Sequence, residues 1–404
     1  MGYSNINAPK TIFPPHALTA LVDILIMLDF EPRREAHEHL VEMVAGHMRT
    51  AYSVPDHRQY FRSGYSSEPI LAEAAARQIV SFQDKGEPSK FSIGSILNDR
   101  FGEGLISLGE RGEIVMRVLL MEAYLRAVRA DYPDDSHPIY SKGCKLITFL
   151  KELLAKKYIK TVLEGLPNNL PGGEPLQKAL STAMVRFTHF VKAEDESVLG
   201  TTPLLAALVR GMAYIGWSSQ KQIDFAIPVL LDPIPKLSPS SMSVLLIQVK
   251  RRKQRCPVDK YMYEINQKDL NVFPEDVKTE RPYLTLVAEL GSQDSEEIRI
   301  LPQPKKQSHT SDTHPRYAII VYGCSDIVYN GIPTSDVPLY QQLLAINQLY
   351  NEHPRRHKDN LTMLKQQKPL WSTKHSYTWL NEKKSVGKTN PESDSNAMDA
   401  GCEG

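Results

Sequence analysis

Two aliphatic runs in the middle of the chain, residues 223–231 (IDFAIPVLL) and 243–250 (SVLLIQVK), have the length and composition of buried strands. A Pro/Ser-rich bend joins them, which predicts a hairpin. The first run carries Asp224 near its start, and the second carries Gln248 and Lys250 near its end. Ionised side chains inside buried strands cost free energy unless they are paired, hydrogen-bonded or metal-bound. Upstream, the pattern is helical. Apolar positions at helical spacing run through 17–28, 35–49 and 70–77, the last opened by Ser67-Glu68-Pro69. The strongest helical stretch follows Gly109 and covers 113–128, with an apolar side so wide that it predicts burial. Residues 143–215 predict more helix, broken by the Pro/Asn/Gly loop 166–173. Strand texture returns at 283–290 and 317–322, and a helix over 338–350 closes the pattern.

This order predicts an α/β or α+β fold, a mixed β-sheet of about four to five strands flanked by helices. Three parts are expected: a helical N-terminal region at 1–105, an α/β core at 106–350 with a helical insertion at about 131–215, and a polar tail at 351–404. The tail is expected to be disordered from about 385, where apolar residues become sparse. Pro228 counts against a central position for the first strand. An all-helical scaffold with a small edge sheet is the alternative architecture.

Composition narrows the partners. The 404 residues carry a net charge of +1, so any polyanion site has to be a local patch. Cys144, Cys256, Cys324 and Cys402 form no CxxC pair and match no common zinc spacing, as expected of a reduced, intracellular chain. No basic segment leads into an apolar core at the N-terminus, and no apolar run is long enough to span a bilayer. The expectation is a soluble protein of the nucleus or cytoplasm, with no membrane partner.

The polar residues of the hairpin suggest chemistry. Gln248 and Lys250 are two apart and share one face of a strand. Antiparallel pairing sets Asp224, at the start of one strand, near Lys250 at the end of the other. A carboxylate there can hold Mg²⁺ through oxygen. Such a metal polarises a phosphate and acidifies a bound water, while a lysine stabilises developing charge. The tract Lys250-Arg251-Arg252-Lys253-Gln254-Arg255 follows at once, with five positive charges in six residues. It can bind phosphates, making affinity salt-dependent. It equally fits a nuclear-import tract or a solvated basic loop.

These residues resemble the PD-(D/E)XK nuclease superfamily, the restriction-endonuclease-like fold. Its pattern is a helix bearing Glu, then a hairpin with Asp on one strand and (D/E/Q)xK on the next. Glu113 matches the helical Glu, Asp224 the strand Asp, and Gln248 and Lys250 the last motif. The resemblance implies a Mg²⁺ site made by Glu113, Asp224 and the backbone carbonyl of Val249, with Gln248 assisting and Lys250 catalytic. It also implies nucleic acid as substrate, contacted by Arg251, Arg252, Lys253 and Arg255. Gln248 stands where most members carry an acid, and some ninety residues of predicted helix separate Arg129 from the hairpin. A non-catalytic interaction protein that keeps the fold is therefore the second reading. Glu110 can substitute for Glu113, and Glu289 or Asp326 can join an acidic site. Tyr317, Tyr322 and Tyr329 fit base stacking or the core. His37-Glu38-His39 is a poor metal pair, because helical residues two apart face differently.

Overall fold

The computed structural model describes residues 15–30, 34–56, 61–85, 92–103, 105–106, 110–217, 222–232, 237–252, 265–274, 279–292, 296–303 and 313–345. All of them lie in the unit Met1–Ile346. Helices α1 (Pro15–Ile26), α2 (Arg34–Gly46), α3 (Pro69–Lys85), α4 (Ile93–Gly102) and α5 (Arg111–Asp131) come first, interrupted by a small hairpin of β1 (Thr50–Ser53) and β2 (Arg62–Gly64). The pattern 113–128 becomes α5, which is buried on almost every side, as its all-round apolar sequence predicts.

Residues 143–215 depart from the helical expectation. They form α6 (Leu146–Leu153), α7 (Lys156–Leu163), α8 (Leu176–Ala179) and α9 (Thr201–Arg210), but also β3 (Cys144–Lys145), β4 (Met184–Val185), β5 (His189–Lys192) and β6 (Met212–Ile215). Strands of two to four residues are too short to impose a period of two on the sequence. They join β7 (Phe225–Leu230), β8 (Met242–Lys250), β9 (Tyr283–Glu289), β10 (Glu297–Ile300) and β11 (Arg316–Tyr322) in one mixed sheet of nine strands, not four to five. An edge-sheet scaffold is likewise ruled out. The closing helix α10 spans Val337–Leu344 and stops at the extended Ala345, short of the expected 350; residues 346–350 and the tail lie outside the described residues.

The predicted hairpin is the centre of the sheet. β7 pairs antiparallel with β8 from Phe225↔Ile247 to Leu230↔Met242, and β8 pairs parallel with β9, which pairs parallel with β11. The other edge of β7 is shared: β6 covers Phe225 and Ala226, and β4 covers Val229 and Leu230. Pro228 falls in the gap between them. The bond from Leu231 N–H to Ser241 O fixes the alternation, so odd-numbered β7 residues turn their backbone groups to β8 and Pro228 turns its nitrogen to the gap. A missing N–H there breaks no ladder bond, which is how proline occupies a central strand.

The sheet separates two apolar layers. Phe225, Ile227, Leu245 and Ile247 pack with the α5 residues Ile114, Val118 and Met121. Ala226, Val244 and Leu246 pack with Leu204, Ala207 and Leu208 of α9. Tyr317, Tyr322 and Tyr329 are all buried, so they serve the core and not base stacking. Among the described residues no helix is long and apolar enough to cross a membrane.

Candidate functional site

Three features of sequence bring α5, α1 and the hairpin together. Gly112, in the first turn of α5, faces β8, with Val249 Cγ1 3.6 Å from where a Cβ would stand. One turn later Arg117 is buried among apolar residues, and its guanidinium donates to the carbonyls of Ile26 and Met27 at 2.8 and 2.6 Å. Those carbonyls end α1, where Met27 turns into the left-handed region (φ 55°) and no intrahelical donor remains. Arg117 thus caps α1 and carries Asp29 to the start of α5. At the hairpin, Asp224 precedes β7. Its N–H donates to Ile247 O, and its carboxylate accepts from the N–H of Val249.

A cavity of about 170 Å³ opens where these elements meet. Four carboxylates line it, Asp29, Glu110, Glu113 and Asp224, against two cations, Arg117 and Lys192; Ile215, Trp217 and Ile223 form an apolar wall. Lys192 Nζ lies 3.4 Å from Asp29, and Arg117 lies 3.7 Å from Glu110. Burial pushes the Glu113 carboxyl up from the usual range, and the charge of Asp224 pushes it further, with Arg117 and Lys192 pulling it partly back. Glu110 is raised to about 7, first by burial and then by Asp29. Asp224 is also raised by burial, against the Val249 N–H and the charge of Lys250. Acids outnumber cations, so the cavity disfavours full ionisation and favours an added positive charge.

The donor set suits a hard cation, being carboxylate oxygens alone. Among the described residues no three His, Cys, Asp or Glu side chains form a metal-holding group by themselves. A cation here would need backbone carbonyls and water to complete its shell, as Mg²⁺ usually does. Val249 offers one. Its N–H meets Asp224 where β7 has not yet begun, and the carbonyl of the same residue leaves β8 on the same edge.

Glu113 and Asp224 therefore meet in one cavity. Lys250 acts electrostatically on Asp224 but is not among the lining residues. Gln248 is buried, and alternation along β8 turns it to the α9 side of the sheet, away from Glu113. Arg251 and Arg252 are half-buried where β8 ends, while Lys253 and Arg255 lie outside the described residues. Glu289 is fully buried in register with Lys250, and Asp326 accepts a hydrogen bond from Thr334; neither lines the cavity. Sequence reasoning missed Asp29, Arg117 and Lys192. Arg117 had a legible signal, a lone arginine inside an otherwise apolar helical run; Asp29 and Lys192 had none.

Fold and site together define a mixed α/β protein with a carboxylate-rich cavity at the base of its central hairpin. A family model described as a domain of unknown function (DUF8736) matches residues 16–291, and the chain belongs to that family. The match includes every residue that lines the cavity. Neither a curated protein nor a solved structure matches the chain.

Proposed function

We propose that the chain hydrolyses phosphodiester bonds of nucleic acid, inside the cell, in the manner of a PD-(D/E)XK nuclease. The observation that carries this reading is the meeting of Glu113 and Asp224, more than a hundred residues apart in sequence, in one cavity. Glu113, Asp224 and the Val249 carbonyl would hold Mg²⁺. When bound, that ion supplies a Lewis acid for the phosphate and an acidified water. The chain's own groups do the rest. The raised carboxyls of Glu113 and Asp224 release protons as the cation arrives, so affinity should rise with pH. Lys192, within the cavity, would offset charge building on the phosphate, while Lys250, on the face of β8 that Gln248 shares, acts through the charge of Asp224. Trp217 and Ile223 shield one side from water. Gln248, on the far face, supports β8 and not the reacting groups.

The test is cleavage of labelled single- and double-stranded DNA and RNA by the full chain, with Mg²⁺ or with chelator, against Glu113→Gln and Asp224→Asn. Each substitution is expected to lower the rate by about a hundredfold or more, the scale of losing one charge-stabilising group. Cleavage that survives chelation, or is indifferent to both substitutions, refutes the reading. The position and burial of Gln248, in the place of the usual acid, favour a second reading as a non-catalytic nucleic-acid- or protein-interaction protein. Binding without metal-dependent cleavage would select it.

A further inference from the structure

A second polar feature sits beside the cavity, around the same end of α5. Arg111, the first residue of that helix, is 1% exposed and lies over the Phe101 ring, its Cζ 4.5 Å from the centroid. Its Nη1 donates to the carbonyl of Ala345 at 2.5 Å, and its Nε is buried with no hydrogen-bond partner. Burial, and then a second cation, Arg251, weigh against its charge. Arg251 also keeps a buried Nη1 without a partner.

The backbone holds these groups in place. Gly112 lies against the Arg251 stem, with Cβ and Cδ at 3.8 and 4.0 Å from where its own Cβ would stand. On the other side Gly291 approaches so closely that a Cβ there would lie 2.6 Å from Arg252 O and 2.8 Å from the Arg251 carbonyl carbon. Arg251 and Arg252 are thus fixed between α5 and the turn after β9. Two guanidiniums side by side, with buried N–H groups unused, cost free energy that an oxyanion would recover. The start of a 21-residue helix adds its positive dipole end, and Glu110 makes no side-chain capping bond that would occupy it.

We infer that Arg111 and Arg251, with Arg252 beside them, form a phosphate-binding notch that grips one backbone phosphate of a nucleic-acid strand whose neighbouring phosphate lies in the carboxylate cavity. The assignment to nucleic acid rests on the function proposed above. Arg111 and Glu113 both lie in the first turn of α5 but on different sides of it, so a strand that fills the cavity reaches the notch by crossing that helix end. The half-buried Arg251 and Arg252 meet the phosphate oxygens, and Arg111 stands behind them as a positioning charge. Planar guanidinium forks suit this task, since each can give two parallel hydrogen bonds to one phosphate.

The experiment measures binding of short labelled DNA and RNA oligonucleotides to the full chain by fluorescence anisotropy, across a salt series, for the native protein, Arg111→Gln and Arg251→Gln. Each substitution is expected to weaken binding about tenfold and to lower the slope of log affinity against log salt by about one. Arg111 also holds Ala345, so the partly exposed Arg251→Gln is the decisive variant if Arg111→Gln unfolds. A folded Arg251→Gln with native affinity and native salt slope overturns the notch. So does a native chain that binds no oligonucleotide, even if inorganic phosphate raises its melting temperature, because the site then takes free phosphate. Loss of binding in the variants without cleavage by the native chain supports the notch and removes the nuclease reading. Cleavage that persists with binding unchanged in the variants does the reverse.

Discussion

Glu110 gives the most direct test of the cavity's electrostatics. Its carboxyl is raised from an ordinary 4.5 to about 7, by burial first and by Asp29 next. A carboxyl raised in the folded state contributes stability that is fully present below pH 4.5 and is lost as pH rises through about 7. At about 1.4 kcal/mol per pH unit, that span is worth roughly 3 kcal/mol. The side chain is 32% exposed, so solvent screening reduces the figure to about 1.5–3 kcal/mol. Glu110→Gln replaces the group by a neutral isostere and removes this loss. The assay is urea unfolding of both proteins at pH 5 and pH 8.5. Whatever the substitution costs in packing is common to both conditions and cancels in the difference. The variant should gain about 1.5–3 kcal/mol relative to the native chain between the two conditions. Parallel pH profiles would refute the crowded-carboxylate description of the cavity. Mg²⁺ added at pH 8.5 should narrow the gap by stabilising the native chain more than the variant.

Other substitutions probe the supports. Arg117→Met strips the α1 carbonyls and the cavity acids of their buried cation and should cost about 3–5 kcal/mol in urea unfolding. Gly291→Ala forces a Cβ to 2.6 Å from a backbone oxygen and should cost about 1–3 kcal/mol. Gly112→Ala meets only ordinary contacts at 3.6 Å and should be neutral or gain up to about 1 kcal/mol of helix propensity; thermal melts separate the two. His39, whose Nδ1 lies 2.8 Å from that of His16, is lowered from 6.5 to about 4 by burial and then by His16. Its contribution is present above pH 6.5 and lost as pH falls through about 4. His39→Leu should therefore flatten the acid side of the stability profile, read by unfolding at pH 7 and pH 4.5.

The hairpin was legible because β7 and β8 are long enough to show their pattern, and because Asp224 is out of place in an aliphatic run. Glu113 was legible as an early carboxylate on the strongest helix. The four short strands between Cys144 and Ile215 were not, because each borrows its conformation from its neighbours in the sheet and not from its own residues. Asp29 and Lys192 became site residues only through tertiary packing: one follows the turn that Arg117 caps, the other ends β5 opposite it. Gln248 and Lys250 show the converse. Their shared face was read correctly from spacing, but which face of the sheet α5 would cover depends on connections that no local pattern encodes.

The bond between Arg117 and the end of α1 makes the cavity a reporter of long-range order. One wall comes from the first described helix and its following turn, another from α5, and the last from the sheet. Undocking α1 would take Asp29 from the cavity and leave Arg117 without its two carbonyl acceptors, while the hairpin and its ladder stayed whole. Any ion that binds the closed cavity must then pull on the α1 docking equilibrium, and the same coupling runs in reverse. Amide exchange in α1 is thus a remote gauge of cavity occupancy, slowing when the cavity fills even though no ligand touches the helix itself.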